Sequence, residues 1–306
     1  MEYPRVSIII LNWNGLEDTI ECLESLKKIT YPNYEVIVVD NASANNEAQI
    51  LREKFGDYIY LIQNDRNYGF AEGNNIAIRH VLSKSELKYV LLLNNDTVVA
   101  PQFLDELVKV TKQDCSIGIA GPKIYFYNNP NEAQHTTAKI DLYRGKAGWA
   151  VVKEADSGQF EDVQDTAWCD GSCFLVRREV IQSIGLIDAS YFKYWEEIDY
   201  CLRASKQGFR IVCCPQARIW HKGWLRMWDK GFPSIKRVEA VYYMERNRFL
   251  FMRKHAGKLQ MATFLLYYFT FSVWMMSGHL LVRRRSQESF MSFLRGVRDG
   301  FQLLAA

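Results

Sequence analysis

The sequence predicts an α/β domain in which helices cover both faces of a mainly parallel sheet. Four short apolar runs alternate with four segments whose apolar residues recur at helical spacing, which is the pattern of parallel strands joined by crossover helices. Several of these runs end abruptly in oxygen-bearing side chains, as buried strands do at a binding edge. Of the 306 residues, 48% are apolar, so the chain can bury a core of this kind.

The strands and helices follow in a regular order. Continuous apolar runs predict four buried strands, at Val6–Leu11, Tyr34–Val39, Tyr58–Ile62 and Tyr89–Leu93. Apolar residues three and four apart predict the helices, at Leu16–Ile29, Asn45–Phe55, Ala71–Leu82 and Pro101–Thr111. A proline is tolerated in the first turn of the last helix. Residues 121–168 are polar and glycine-containing and give no ordered prediction, whereas residues 196–207 predict a helix and Arg210–Cys214 a strand.

A long apolar segment lies near the C-terminus. Leu259–Val282 has 24 residues and no Lys, Arg, Asp or Glu, which is long enough to span a bilayer as a helix. An amphipathic segment, Phe290–Leu304, follows it. A span or hairpin is one arrangement, and helices lying in the membrane interface are the other. A dimer interface or a buried core helix would need no membrane. The predicted domains are residues 1–235 and a basic, aromatic, helical membrane-associating region at 236–306.

Charge and cysteine content exclude some classes of protein. The formal net charge is only +3, so we expect no nucleic-acid partner. The C-terminal fifth is more basic, with twelve Lys or Arg between Lys236 and Arg298, which favours an anionic membrane surface. Seven cysteines without a paired C-x-x-C motif predict free buried thiols in a reducing compartment. The N-terminus lacks the basic region and cleavage site of a signal peptide, so none is expected.

Polar side chains follow three of the predicted strands. Asn12, Asp40 and Asn94–Asp96 each stand at the end of a strand, so they should open on one edge of the sheet. Asp40 would bind ribose hydroxyls or a base N–H, or would simply cap the next helix. Gly69 and Gly73 bracket a helix start whose free N–H groups favour an anion. The chain has neither G-x-G-x-x-G after the first strand nor a P-loop motif, which argues against a nicotinamide dehydrogenase and a P-loop enzyme.

Two residues are candidate metal ligands. Asp96 lies among hard oxygen donors just past a buried strand. Mg²⁺ or Mn²⁺ held together with a diphosphate is one interpretation of that cluster, and a solvated turn is the other. His221 follows a strand in the segment RIWHKG. Its imidazole would complete a manganese shell or serve a purely structural purpose.

A third cluster crowds three carboxylates beside aromatic residues, in Trp195-Glu196-Glu197-Ile198-Asp199. Like charges in an aromatic pocket raise carboxyl pKa values, which suits a general base. On a helix, Glu196 and Asp199 share one face, while Glu197 points elsewhere. Arg203 follows Asp199 by four residues, so an ion pair along the helix is the structural alternative for Asp199.

Together these motifs resemble the family 2 glycosyltransferases, which have the Rossmann-like GT-A fold. The resemblance covers about residues 5–255 and is strongest to the bacterial rhamnosyltransferase and galactofuranosyltransferase-like branch. It depends on several short motifs that occur in the family's order. These motifs are Asp40, Asn67–Asn74, Asn94–Asp96, Trp195–Asp199, His221 and Tyr242–Asn247.

The resemblance implies a nucleotide pocket with a metal ion beside it. The candidate nucleotide-binding residues are Asn12, Asn14, Asp40, Asn67, Gly69, Asn74 and Asn95. Asp96 and His221 would hold Mn²⁺ or Mg²⁺. The sequence departs from the family at Asn94, where the metal motif often has aspartate. The amide removes one negative charge near the ion, so cation dependence is less firmly implied than the rest.

The resemblance also implies a catalytic base and an acceptor side. Glu196 would take the proton of the acceptor hydroxyl. Glu197 is its rival, because some branches place the base one residue later. Asp199 completes the catalytic cluster. The segment WCDGSCFLVRR resembles the family's acceptor-side segment, and the candidate acceptor contacts are Trp168, Asp170 and Trp195.

The implied function is that of an inverting, metal-dependent glycosyltransferase at the cytoplasmic face of the cell membrane. It would move a sugar from dTDP-rhamnose or a UDP-sugar to a lipid-linked or polysaccharide acceptor in cell-surface glycan synthesis. A non-catalytic membrane subunit that binds nucleotide or a partner is the alternative, and a homodimer is a further option. A nucleotidyltransferase of similar fold is disfavoured, because the loop Asn12–Gly15 is neither Gly-rich nor basic.

Overall fold

The computed structural model describes residues 3–149, 152–158, 161–223, 234–284 and 286–305. The first part of the chain alternates strands and helices. In order they are β1 (Arg5–Asn12), α1 (Leu16–Leu26), β2 (Tyr34–Asp40), α2 (Glu47–Phe55), β3 (Ile59–Gln63), α3 (Gly69–Leu82), β4 (Leu87–Asn94), β5 (Thr97–Val99) and α4 (Phe103–Gln113). The four predicted strands and four predicted helices of this part are all present.

The second part supplies strands that could not be ordered from the sequence. Its elements are β6 (Ile117–Phe126), β7 (Glu132–His135), β8 (Ala138–Asp141), β9 (Lys146–Trp149), β10 (Val152–Ala155), β11 (Gln164–Asp165), β12 (Cys173–Arg177), α5 (Arg178–Ile184), α6 (Glu196–Lys206) and β13 (Arg210–His221). The region 121–168 is therefore mostly short strands. The strands β8 and β9 pair only with each other, as an antiparallel hairpin beside the main sheet.

The main sheet is parallel in the half that carries the first strands. Its order there is β4-β1-β2-β3, and the three pairings are all parallel. The strand β12 runs antiparallel between β4 and β6, and β13 runs parallel to β6. Because β1 and β2 are in register from Val6 to Asn12, Asn12 lies directly beside Asp40. The polar strand ends thus share one edge of the sheet, as predicted.

Two hydrophobic cores cover the two faces of the sheet. Alternate side chains of β1 go to opposite faces, so Ile8 and Ile10 belong to one core and Ile9 to the other. The first core packs against α1, α2 and α4. The second packs against α3, α5 and α6 and extends to the C-terminal helices. This arrangement confirms the predicted fold class.

The C-terminal part is mostly helical in its described residues, with a short break at Ala256 and Gly257. Its helices are α7 (Ser234–His255), α8 (Lys258–Tyr267), α9 (Val273–Gly278) and α10 (Gln287–Ala305). Two π-helical turns, Tyr268–Ser272 and His279–Arg283, continue α8 and α9 into one helix. The helix α10 packs closely on α7 through two glycines. A Cβ atom at Gly296 would lie 2.6 Å from the carbonyl oxygen of Tyr242, and one at Gly300 would lie 2.7 Å from the Phe249 ring.

One helix of the described residues, Lys258–Arg283, is long and apolar enough to cross a membrane. Only 11% of its most apolar stretch is buried. Trp274 is 70% exposed and Val282 is 76% exposed, so most of this helix does not serve as a core helix. Its start is an exception, since Phe264 and Tyr268 are fully buried and join the core that contains α7.

Candidate active site

The ends of β1 and β2 are joined by a buried polar network. The side-chain amide of Asn12 donates to Asp40 Oδ1 at 2.9 Å and to Glu47 Oε2 at 2.9 Å. The hydroxyl of Thr19 donates to Asn12 Oδ1 at 2.8 Å, and the Asn95 amide donates to Thr19 at 2.9 Å. The structure therefore brings Asn12, Asp40 and Asn95 together, as predicted. Glu47 was missed, because only the folded chain reveals its contact with Asn12.

Two neighbouring loops are tied together at this edge. The second carboxylate oxygen of Asp40 accepts the backbone N–H of Ser43 at 3.1 Å, which closes a local turn. Asp40 does not cap α2, because the N-cap residue of that helix is Asn46. Asn14 has a positive φ of 51°. Its side chain accepts the N–H of Ala44 at 2.7 Å. These contacts fix the backbone of the β1–α1 and β2–α2 loops around the strand ends.

Asn67 and Gly69 shape the start of α3. Asn67 Oδ1 accepts the N–H of Gly69 and an amide hydrogen of Asn41, both at 2.8 Å. Gly69 has a φ of +79°, and an added Cβ would lie 2.5 Å from Phe192 O, so glycine is required. The N–H groups of Phe70 and Ala71 donate to Phe192 O. Two of the backbone N–H groups that would bind an anion at this helix start therefore already donate to the Phe192 carbonyl.

Asn74 lies within α3 and is buried. Its side-chain amide donates to the carbonyl of Phe70 at 2.8 Å. Gly73, one turn along the same helix, permits close packing on β1, because a Cβ there would lie 2.6 Å from Leu11 Cδ1. Asn74 thus bonds within the first turns of α3, and Gly73 seats the helix on β1.

Asp96 and His221 are neighbours, although 125 positions separate them in the sequence. His221 Nε2 lies 3.2 Å from Asp96 Oδ1, because the antiparallel pairing of β13 with β5 sets His221 opposite Thr97. Gly223 approaches both side chains closely: a Cβ there would clash, at 2.5 Å from Asp96 Oδ2 and 2.8 Å from His221 Nε2. One carboxylate and one imidazole fit Mn²⁺ or Mg²⁺ if substrate oxygens supply further ligands. Within the described residues no group of three or more His, Cys, Asp or Glu forms a complete metal site.

Glu197 faces the acceptor-side segment. A Cβ at Gly171 would be 3.8 Å from Glu197 Cδ. Burial, and then the charge of Asp170, raises the pKa of Glu197 to about 8. Glu196 is only 5% exposed. Burial, and then the charge of Glu197, raises the pKa of Glu196 well above its usual range. In the part of the chain that is described, each glutamate has one buried carboxylate oxygen without a hydrogen-bond partner.

The loop before these glutamates has an unusual backbone that α7 holds in place. Phe192, Tyr194 and Trp195 have positive φ values of 65°, 68° and 75°, a conformation that costs non-glycine residues about 1–3 kcal/mol each. Asn247 donates its side-chain amide to the carbonyls of Tyr191, Lys193 and Tyr194, at 2.8, 2.8 and 2.9 Å. This contact gives a physical role to the motif at Tyr242–Asn247.

The two predicted tryptophan contacts have different surroundings. Trp195 packs on Phe251 with ring centroids 5.1 Å apart. Its indole N–H donates to the carbonyl of Met244 at 3.0 Å, so this ring is turned toward α7. Trp168 is 6% exposed and lines a small cavity with Asp170. Its indole N–H has no hydrogen-bond partner among the described residues.

Asp199 has an environment unlike that of the two glutamates. Its fully buried carboxylate lies 2.8 Å from Arg203 Nε, 2.5 Å from Lys254 Nζ and 2.8 Å from His255 Nε2. Burial alone would raise its pKa, but hydrogen bonds from His255 and Lys254 hold the pKa of Asp199 well below its usual range. The ion pair with Arg203 that was the structural alternative is therefore present, and the carboxylate is turned toward α7.

Replacing Asp199 by alanine is expected to destabilise the fold by about 3–5 kcal/mol, since it removes the buried carboxylate on which Arg203, Lys254 and His255 converge. Urea denaturation followed by circular dichroism would measure the change. Asp165→Ala is the matched control, because Asp165 pairs with Arg210 at the surface, where ion pairs contribute little. Equal stability of the Asp199→Ala and Asp165→Ala proteins would contradict a structural role for Asp199.

Comparison with known proteins places this geometry in a family. The model of the family described as "Glycosyl transferase family 2" matches residues 7–185. The chain is 27% identical over 282 residues to the low-salt glycan biosynthesis hexosyltransferase Agl10 of Haloferax volcanii, covering 91% of this chain and 84% of that protein. It is 30% identical over 230 residues to the rhamnosyltransferase WbbL of Escherichia coli, covering 71% and 83%.

Two further proteins, one relative and one solved structure, are also glycosyltransferases by name. The chain is 24% identical over 222 residues to N-acetylglucosaminyl-diphospho-decaprenol L-rhamnosyltransferase of Mycobacterium tuberculosis, covering 65% of this chain and 70% of that protein. Its fold is similar to that of the mannosyltransferase PcManGT from Pyrobaculum calidifontis, solved with GDP-Man and Mn²⁺. The TM-score is 0.61 at 16% identity, covering 100% of this chain and 79% of that one. Because the family model matches more than half of the chain, the protein belongs to glycosyl transferase family 2.

Proposed function

We propose that this glycosyltransferase moves a sugar from a nucleotide-diphosphate donor to a hydroxyl of a lipid-linked acceptor, with inversion, at the cytoplasmic face of the membrane. The observation that carries the proposal is the pair of buried carboxylates at Glu196 and Glu197, beside Asp170 and the unpartnered indole N–H of Trp168. Such a pair is costly to the fold and is what proton removal from an acceptor requires.

Glu197 is the base that the geometry favours. Glu197 is the more accessible of the two glutamates, since Glu196 is only 5% exposed. Glu197 also faces Gly171 and Asp170, in the segment that resembles the acceptor side. A base must reach the hydroxyl whose proton it takes, and Glu197 is better placed for that. Glu196, whose own pKa is raised by burial and then by the charge of Glu197, would stay protonated beside it.

Asp96 and His221 would hold a divalent ion beside the donor diphosphate. Their separation of 3.2 Å and the close approach of Gly223, which has no side chain to block them, support this assignment. A bound Mn²⁺ or Mg²⁺ supplies a Lewis acid that neutralises charge developing on the leaving diphosphate. Asn12, Asp40 and Asn95 would fix the loops against which the nucleotide lies, through the network that joins them.

The donor and acceptor are proposed from the relatives and from the apolar helix. Two of the relatives are named as rhamnosyltransferases, and the name of one includes a diphospho-decaprenol acceptor. The exposed helix Lys258–Arg283 would place the site at a membrane where such an acceptor lies. We therefore take dTDP-rhamnose as the first donor to test, with UDP-sugars as the others.

The proposal is tested by incubating the detergent-purified protein with labelled dTDP-rhamnose or UDP-sugars and a membrane lipid extract. Label should enter the lipid fraction with one donor, and the Glu197→Gln protein should transfer none while still binding nucleotide. Nucleotide binding by the normal protein, without transfer from any donor, would instead support a non-catalytic subunit.

The pH dependence should report the raised pKa of Glu197. A base must be deprotonated, so kcat/KM is expected to rise with pH, to reach half of its maximum near pH 8 and to level off above it, because the pKa of Glu197 is about 8. Stability should change in the opposite direction. The folded pKa lies above the ordinary value of 4.5, so the contribution of Glu197 to stability falls as pH rises from 4.5 toward 8. Thermal melts at pH 5 and 8 should therefore differ more for the normal protein than for Glu197→Gln.

A further inference from the structure

A cationic cavity lies between the β8–β9 hairpin and the start of the apolar helix. Its volume is about 630 Å³. Side chains from three parts of the chain line it, namely Lys139, Arg144, Lys146, Trp149, Arg248 and Tyr267. Four of the lining residues carry positive charge and one, Asp141, is acidic. The cavity is therefore suited to an anion.

The positive charge is only partly neutralised. Lys146 Nζ bonds to the neutral hydroxyl of Tyr267 at 2.8 Å, and Lys139 has no ion pair among the described residues. Asp141 Oδ1 accepts the backbone N–H groups of Tyr143 and Arg144 at 2.9 and 3.1 Å, and Asp141 Oδ2 pairs with the Arg144 side chain at 3.3 Å. One acidic side chain therefore does not neutralise the four basic side chains of the cavity. A phosphate group bound there would gain charge-assisted hydrogen bonds.

Arg248 extends the cavity wall from α7. One terminal nitrogen of Arg248 pairs with Glu245 at 3.2 Å. Its Nε is buried and has no hydrogen-bond partner in the described part of the chain. A buried guanidinium nitrogen without an acceptor is costly. An anion that reached it would satisfy this donor.

The cavity connects the acceptor side of the active site with the membrane helix. Trp149 lines this cavity and also the small cavity that contains Trp168 and Asp170. The rings of Trp149 and Trp168 are 4.0 Å apart. On the other side, the hairpin presses on the helix, because a Cβ at Gly145 would lie 2.5 Å from the ring of Phe264.

From this placement we propose that the cavity binds the diphosphate group of the lipid-linked acceptor. The lipid chain would leave along the exposed apolar helix. The sugar would extend past Trp149 and Trp168 to reach Glu197, and aromatic faces of this kind suit sugar rings. The inference rests on the proposed function and adds to it the group by which the acceptor is recognised.

Binding can be measured separately from catalysis. Farnesyl diphosphate would be titrated into the detergent-solubilised protein by calorimetry, with UDP and dTDP present to occupy the nucleotide site. Arg144→Gln/Lys146→Gln should weaken binding by about tenfold or more, as expected for lost charged hydrogen bonds. Lys139→Gln should also weaken farnesyl diphosphate binding. The control is Arg52→Gln/Lys54→Gln, on the exposed face of α2, which should bind as the normal protein does.

Two outcomes would overturn the proposal. One is unchanged farnesyl diphosphate affinity in the cavity variants. The other is an equal loss of affinity for phosphatidylglycerol vesicles, which would make the cavity a general head-group site. If the normal protein transfers sugar, the double variant should also raise KM for a diphosphate-linked acceptor while kcat stays constant. If it transfers none, the proposed function fails, and the calorimetry still decides whether the cavity binds a diphosphate.

Discussion

Replacing Glu197 by glutamine is expected to lower kcat by about 100- to 10,000-fold, the range typical for removal of a general base. The amide has nearly the same shape, but it cannot take the proton of the attacking hydroxyl. It also replaces a carboxyl whose raised pKa already favours the uncharged form near neutral pH, so folding should not suffer. Initial rates with labelled donor, at saturating donor and acceptor, would measure the loss.

Glu196→Gln is the matched control for this change, since it alters the adjacent carboxylate in the same way. We expect a smaller loss, because Glu196 is more deeply buried and does not face the acceptor-side segment. Calorimetry with the donor nucleotide should give the same affinity for both variants and the normal protein. Full activity of Glu197→Gln together with an inactive Glu196→Gln would move the base back by one residue.

Replacing Asp96 by alanine is expected to abolish tight binding of Mn²⁺ in the presence of nucleotide and to lower kcat at least about 100-fold, because a bound ion contributes several kcal/mol of charge stabilisation. Asp96 is the carboxylate that lies against His221, at 3.2 Å. Electron paramagnetic resonance of free Mn²⁺, titrated with protein and UDP or dTDP, reports binding independently of turnover.

Two comparisons sharpen this result. His221→Ala should weaken Mn²⁺ binding as well, whereas Asp57→Ala, at an exposed turn, should leave it unchanged. Asn94 cannot provide the second carboxylate of the metal motif, so affinity without nucleotide should be weak. Full transfer in the presence of a strong chelator would show that the reaction needs no ion and that Asp96 has another role.

The first half of the fold was predictable because its strands are buried on both faces. Such strands are continuous apolar runs, and they end where side chains such as Asn12 and Asp40 become polar. The later strands lack that signal. The strand β13 was predicted to end at Cys214, but it continues to His221 after an irregularity in its pairing with β6. The hairpins within 121–168 depend on distant partners, which a local pattern does not reveal.

The site was predictable only as a set of motifs. Their order indicated the family, and the structure joins Asn12 to Asp40 and Asp96 to His221. Sequence spacing put Glu196 and Asp199 on one helix face, but it did not show that Lys254 and His255 neutralise Asp199. Those partners lie more than 50 positions away, on α7, and local spacing does not reveal that this helix packs against Asp199. The contacts of Glu47 and Asn247 were missed for the same reason, although Asn247 belongs to a motif that the sequence shows.

The hydrogen bonds from Asn247 to the backbone before Glu196 set a lower limit on the length of any shortened form of the enzyme. A protein cut at residue 235, where the predicted catalytic domain ends, would lack α7 and with it the support for the strained turn. Expression trials that aim for a detergent-free sample should therefore keep the chain through His255, with the exposed apolar residues beyond it as the part to redesign or remove.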